Sequence, residues 1–338
     1  MRRTRSLLLV ICALVVAVAA CGPIGGGPPP TTTTSSTGAT TTTSSTTSTT
    51  EEPTTTTSTT DVTTTTTTAP AAAGPCTGAT PPAQYEHVIV VVMENKHATD
   101  VIGNAAAPWM TAKVAQCGTA TQYAQEGSPS RPNYIALTSG TTGGCTGSNA
   151  DPGTDACAPP SPSLLAQVLQ AGGTVQSYAE SAPVNCATTS TGLYAAKHNP
   201  WTYYTAEVAD CAQHDIAVPE GFALDVANLP TLTFVTPDLC DDTHNCDVAT
   251  GDAFLARLLD PVLASDAYLA GTTAVVVVYD EYTDLPNVVI APSVAPGSHF
   301  DGAFDHYGML RTIEDMLGLP PLNAAATAPS LRGAPLGL

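Results

Sequence analysis

EHVIVVVM, residues 86–93, is an apolar, β-branched run with no polar interruption after His87. A strand with one wet face alternates apolar and polar side chains. An unbroken run is what a strand covered on both faces requires. TTAVVVVYD, residues 272–280, repeats the pattern. Shorter strand signals lie at TVQSYAE (174–180), TLTFVTP (231–237) and NVVIAP (287–292). Helical spacing alternates with them at 107–118, 161–173, 250–265 and 305–319. In 161–173 the sequence places Ser161 at the N-cap and Pro162 at N1. In 250–265, Pro261 marks a kink. Buried strands alternating with helices predict an α/β fold, a three-layer α/β/α sandwich around a mostly parallel sheet.

Such sheets bind ligands beyond the carboxyl ends of their strands. Three strand ends here carry acids: Glu94 and Asn95 after the first run, Asp238 after TFVTP, and Asp280 and Glu281 after VVVVY. Each of these endings is also what an ordinary loop start looks like. Together, carboxylates and an amide carbonyl suit a divalent cation, with Zn, Ca, Mg and Fe all open. GSPSRPNYIALTSG (127–140) adds two serines in a turn ahead of a short helix. A serine there is an N-cap by default. The same geometry, with free N–H groups and the positive helix end, is also an anion site.

The chain ends are unlike this core. Residues 1–21 pair three arginines with an apolar run and end in VAAC, a secretory signal with a lipobox-like ending at Cys21; an uncleaved anchor is the alternative. Residues 22–75 are a Thr/Ser/Pro-rich linker that lacks the apolar surface to offset ordering. The expectation is an exported surface lipoprotein, anchored through Cys21 to the outer face of the cytoplasmic membrane, or otherwise secreted. Residues 76–338 form the folded domain. Its eight cysteines, from Cys76 to Cys246, suit four disulfides in an exported chain, and sequential pairing is expected from the short 145–157 and 240–246 intervals. Three cations and three acids precede residue 76, leaving seven Lys and Arg against 26 Asp and Glu. Without a basic patch, nucleic acid is excluded as a partner.

The segments VVVMEN, SPSRPNYIALTSG, KHNP, TPDLCDDTHNCD, YDE and DHYGMLRTIEDMLGL occur in this order. Together they resemble the phosphoesterase family of bacterial phospholipases C and acid phosphatases, within the alkaline phosphatase superfamily. The resemblance implies an alkaline phosphatase-like fold and a metal-dependent phosphoric ester hydrolase acting through a phosphoserine. It assigns the nucleophile to Ser130 rather than Ser128. Glu94, Asn95, Asp280 and Glu281 become metal ligands. His244 becomes the general acid or a phosphate ligand, beside Asp242, with Asn245 where the family has a second Asp. His198 and His306 match substrate-side or second-metal histidines. Arg131, next to the nucleophile, is a candidate phosphoryl clamp, with a solvent-facing arginine as the alternative. The loop after Asn95 has His97 and Ala98 where the family has Ser and Phe, and His97 itself is expected to be an exposed loop residue. The KHNP segment favours acid phosphatase over a phospholipase C-type phosphodiesterase on lipid headgroups. A non-catalytic surface binding protein is the alternative from another class.

Overall fold

The computed structural model describes residues 74–338. The expected signal sequence, Cys21 and nearly all of the linker lie outside the described residues. The main sheet has six strands, in the order β4 (Asp215–Val218), β3 (Val175–Glu180), β5 (Leu232–Thr236), β1 (His87–Met93), β6 (Thr273–Tyr279) and β7 (Asn287–Ile290). All neighbours are parallel except β7, which runs antiparallel at the edge. From Val88 to Met93, β1 has no exposed surface, and β6 is buried throughout. The two unbroken apolar runs are therefore neighbours at the centre of the sheet.

Helices cover both faces. The chain leaves β1 leftward to β3 and later returns rightward from β5 to β6. Right-handed crossovers in opposite directions put the helices that lead into β3 and into β6 on opposite faces. On one side α3 (Arg131–Ser139) packs on α4 (Leu164–Gln170) and α8 (His306–Leu317). On the other α2 (Pro108–Gln116) packs on α6 (Val248–Leu263), which in turn meets α7 (Asp266–Leu269). Two short helices, α1 (Ala98–Val101) and α5 (Val208–His214), fill loops. The reversal of direction at β1 is a topological switch point, where α/β sheets bind ligands.

Helix α6 runs through Pro261, as expected of a proline inside it. Two features differ from the sequence expectation. The helix expected from Ser161 begins at Leu164, and its N-cap is Ser163, whose hydroxyl accepts from the Ala166 N–H. A second sheet, β2 (Thr119–Ala124) paired in parallel with β8 (His299–Asp305), had no clear strand signal. The disulfides are Cys76–Cys117, Cys145–Cys157, Cys186–Cys211 and Cys240–Cys246, the sequential pairing. Among the described residues, no helix is long and apolar enough to cross a membrane.

Glu207 holds the α4 start to the 196–207 segment. Its buried carboxylate accepts from the Ser163 N–H (2.7 Å), the Ser163 hydroxyl (2.6 Å), the Trp201 indole N–H (2.9 Å) and the Ser161 hydroxyl. Glu207→Ala strands these donors and is expected to cost about 3 kcal/mol, because bonds to a buried charge are expensive to leave unmade. A fall in the urea midpoint at constant slope measures it.

Candidate active site

The carboxyl ends of β1 and β6 are tied together by backbone and side-chain bonds. The Asp280 N–H donates to Met93 O at 3.1 Å, and the Asn95 N–H to Asp280 Oδ1 at 3.2 Å. The Glu94 N–H reaches Asp242 O at 2.8 Å, and the Thr243 hydroxyl reaches Glu94 O at 2.8 Å. Asn95 and Thr243 both sit at positive φ, 46° and 75°. Asn tolerates this region, but a β-branched threonine does not adopt it without support. The Cys240–Cys246 ring closes the loop that carries Thr243.

Ser130 faces this junction. It occupies the N-cap position of α3, yet its backbone is already helical and its hydroxyl caps nothing. The hydroxyl lies 3.1 Å from Glu94 Oε2 and 3.1 Å from Glu281 Oε2. Ser128 donates to the other Glu281 oxygen at 2.6 Å. Asn133 explains how the turn is held. Its Oδ1 accepts from the Glu126 and Gly127 N–H groups, and its Nδ2 donates to Gly127 O. The Pro-Asn step thus staples the serine-bearing turn onto the helix.

Glu94 and Asp280 are fully buried. Burial alone would raise the Glu94 pKa. The adjoining His198 and, secondarily, Lys197 and the Tyr134 hydroxyl pull it down to about 2. Asp280 goes the other way, raised well above the carboxylate range by burial and by repulsion from Glu94 and Glu281. His198 lies between two acids, its Nε2 2.9 Å from Glu94 Oε1 and its Nδ1 3.1 Å from Asp242 Oδ2, stacked on Tyr134. Burial pushes its pKa down, but the two carboxylates outweigh this and raise it. The distances are those of ion pairs, although the ring N–H directions miss hydrogen-bond geometry.

This leaves a set of buried oxygens without a hydrogen-bond donor: Glu94 Oε1, Asn95 Oδ1, Asp242 Oδ2 and Asp280 Oδ2. Orphaned acceptors are rare in folded proteins. Several together, mostly anionic and hard, are the donor set a divalent cation takes. Of the expected ligands, Glu94, Asn95 and Asp280 each offer such an oxygen, whereas both Glu281 oxygens already take a serine hydroxyl. Among the described residues, the close cluster of three potential ligand side chains is a different one, Cys186, Cys211 and Asp215, whose two sulfurs are bonded to each other.

Not every sequence candidate joins the site as expected. Arg131 is a correction. Nε–H and one Nη2–H donate to Cys145 O, the Nη1 donors go to Ala150 O and Asp155 Oδ1, and Nη2 pairs with Asp155 Oδ2 at 2.9 Å. All five N–H groups are committed to the 145–155 loop, so the residue is neither a phosphoryl clamp nor solvent-facing. His306 is buried, with Nε2 donating to Asp280 O (2.8 Å) and Nδ1 accepting from the Tyr123 hydroxyl (2.9 Å). Burial holds its pKa at about 4, so it is a neutral ring that props the Asp280 backbone. The acid that the β5 end contributes is Asp242. Asp238 instead accepts from Cys240 N, Asp241 N and the Ser181 hydroxyl.

His244 is exposed at the mouth. Its Nδ1 donates to Asn245 Oδ1 at 2.8 Å, and its Nε2 faces Lys197 Nζ at 3.3 Å. Sequence reasoning passed over Lys197, the residue before His198. A cation close enough to pull on a buried carboxylate is the signal that could have found it. Lys96 donates to Thr243 O at 2.7 Å. The mouth therefore has two lysines in an otherwise acidic domain.

With this geometry in hand, the comparisons with known proteins are specific. The phosphoesterase family model matches residues 105–284. A phosphatidylinositol-3-phosphatase of Mycobacterium tuberculosis is 32% identical over 253 residues, covering 73% of this chain and 82% of that protein. The chain belongs to the phosphoesterase family. It is a phosphoric ester hydrolase. A probable acid phosphatase of Kluyveromyces lactis is 26% identical across 71% of this chain, which spans 60% of that relative's length. Among solved structures, a member of the alkaline phosphatase superfamily from Vibrio parahaemolyticus superposes with a TM-score of 0.50 at 14% identity, over 76% of this chain and 73% of that one. That likeness concerns the fold, and it agrees with the alkaline phosphatase-like expectation.

Four further acids make the stability of the fold depend on pH. Burial raises Glu180 and Glu126 to about 7, Glu314 to about 8 and Asp215 to about 6. Each binds a proton more tightly folded than unfolded, so stability falls as pH rises from about 4 through about 8. Glu94 has the opposite sign: its contribution is present above about pH 4 and is lost as pH falls toward 2. In chelator, where cation binding adds no pH dependence of its own, Tm is expected to peak at about pH 4 to 5 and to fall by several degrees by about pH 8. Calorimetric scans across that range check it.

Proposed function

We propose that the chain is an exported, metal-dependent phosphomonoesterase of acid phosphatase type that forms a phosphoserine on Ser130. The observation that carries this reading is the Ser130 hydroxyl, which leaves its own helix uncapped and lies between Glu94 and Glu281. Four disulfides suit an oxidising compartment. Anchoring through Cys21 belongs to the same proposal.

Glu94, Asn95, Asp280 and Glu281 would hold the cation. When bound, it would supply positive charge that lowers the serine hydroxyl pKa and offsets charge on phosphoryl oxygens. Ser130 gives its proton to the carboxylate beside it, and its oxygen forms a bond to phosphorus as the bond to the leaving oxygen breaks. His244 hands a proton to the departing alcohol. In the resting arrangement its Nε2 faces the Lys197 ammonium. Asn245 fixes the ring from Nδ1, with an amide instead of a second carboxylate. Water then bonds to phosphorus as the bond from phosphorus to the Ser130 oxygen breaks, and that oxygen takes back the proton from the carboxylate. His198 orients Glu94 and Asp242 from behind.

The mycobacterial relative's name brings a lipid phosphomonoester forward as a substrate class. The test offers p-nitrophenyl phosphate, phosphatidylinositol 3-phosphate in vesicles and p-nitrophenylphosphorylcholine to the chain at pH 5 and pH 8, with and without chelator. Turnover of monoesters, faster at pH 5 and lost in chelator, is expected. Preference for the phosphodiester would replace this reading with the phospholipase C type, and no turnover at all would favour a binding protein.

A further inference from the structure

The folded domain carries seven Lys and Arg against 26 Asp and Glu, so a cation that meets no carboxylate is unusual in it. Lys113, Arg131, Arg257 and Arg311 pair with Asp260, Asp155, Asp241 and Asp315. Arg332 is tied to Pro82 O and Ala83 O. That leaves Lys96 and Lys197, which form no ion pair among the described residues. Both come to one place. Lys96 Nζ donates to Thr243 O at 2.7 Å, and Lys197 Nζ lies 3.3 Å from His244 Nε2, on the next residue. One bond each leaves the remaining ammonium N–H groups free to donate. Both lysines are half-buried, and the Cys240–Cys246 disulfide closes the loop they meet.

Short contacts connect this place to the nucleophile. Ser130 Oγ is 3.1 Å from Glu94 Oε2, Glu94 Oε1 is 2.9 Å from His198 Nε2, and the His198 and His244 ring centroids are 5.8 Å apart. Lys197 also helps to pull the Glu94 pKa down, which an ammonium does only from nearby. The leaving alcohol takes its proton from His244, so the substituents of that alcohol come to Lys197 and Lys96. Two ammonium groups drawn to consecutive residues repel each other, and an anion held by both removes that repulsion.

We infer that Lys96 and Lys197 form a second anion subsite, which selects phosphate monoesters whose leaving alcohol carries a further anionic group, a carboxylate or a phosphate, a few bonds from the ester oxygen. The inference rests on the Ser130 and His244 reading for its direction, but it is tested by binding alone. 3-Phosphoglycerate and sn-glycerol 3-phosphate are a matched pair, with a carboxylate in one where the other has a hydroxymethyl group. Charge-assisted hydrogen bonds from two ammonium groups are worth about tenfold in affinity at a half-exposed mouth. In Ser130→Ala protein loaded with divalent cation, 3-phosphoglycerate should therefore bind about tenfold more tightly by calorimetry, and the preference should shrink as salt is raised. Adding Lys96→Gln and Lys197→Gln together should bring the ratio to about one, and Lys96→Arg with Lys197→Arg should keep it. If the lysines grip the transferred phosphoryl group instead, the glutamine pair weakens both esters equally and the ratio stands. That result, or equal affinity for the two esters in the starting protein, overturns the subsite. Phosphatidylcholine vesicles carrying phosphatidylinositol 3-phosphate, whose second anion is a phosphodiester, distinguish the source. Lysine-dependent binding to them over phosphatidylcholine alone assigns the anion to a lipid headgroup, and lysine dependence confined to 3-phosphoglycerate assigns it to a soluble ester. Turnover with and without Ser130 is scored separately, so a failed phosphoserine mechanism and a failed subsite give different results.

Discussion

Ser130→Ala is expected to lower kcat by at least about 10⁴-fold at a stability cost of only about 1 kcal/mol. Removal of a nucleophile that acts as one unit with its neighbours costs rates of this order or more. The stability half of the prediction comes from the geometry. An N-cap serine replaced by alanine ordinarily costs about 1 kcal/mol. Here the hydroxyl makes no cap bond, so that loss does not arise. What disappears is a hydroxyl shared between two carboxylates. Ser128→Ala is the control: it removes a single 2.6 Å bond to Glu281 Oε1 and should slow turnover by roughly tenfold or less. Equal effects at the two serines would contradict the assignment. Denaturant midpoints measured alongside the rates separate loss of chemistry from loss of fold.

The central sheet was legible because β1 and β6 are buried on both faces, and such strands need unbroken apolar runs. The pair β2 and β8 was not, because half-exposed strands such as HFDGAFD carry little periodicity. The edge strand β4, with four residues, is below the length at which a pattern can be read. In the site, strand-end acids were visible as residues, but the direction of a side chain was not. Asp238 and Asp242 lie four residues apart after β5, and only the turn decides that Asp238 binds its own loop while Asp242 meets His198. Arg131 illustrates the same limit. Adjacency to Ser130 suggested a phosphate partner, whereas helix geometry sends its side chain into the 145–155 loop, where carbonyls consume its donors. His97 found partners at Tyr282 and Asp284, nearly 190 positions along the chain, which no local pattern encodes.

Asp280→Asn should abolish turnover and, in chelator, raise stability. Both halves follow from one arrangement. Asp280 is buried against Glu94 and close to Glu281, and burial together with this repulsion raises its pKa well above the carboxylate range. An acid whose folded pKa is raised weakens the fold as pH climbs past its unfolded value, so at neutral pH the charge is a liability without a cation. The amide removes that charge, and its oxygen still accepts the Asn95 N–H that Asp280 Oδ1 takes at 3.2 Å. The melting temperature of the variant in chelator should therefore exceed that of the parent by a few degrees. With divalent cation present the order should reverse, because the parent gains binding free energy that the variant has largely lost. Activity should fall by about 10³-fold or more, since the remaining ligands hold the cation weakly. A purely structural Asp280 predicts the opposite in chelator, with the variant less stable than the parent. The crossing of the two melting orders, read by scanning calorimetry with and without cation, therefore reports the cation site independently of turnover.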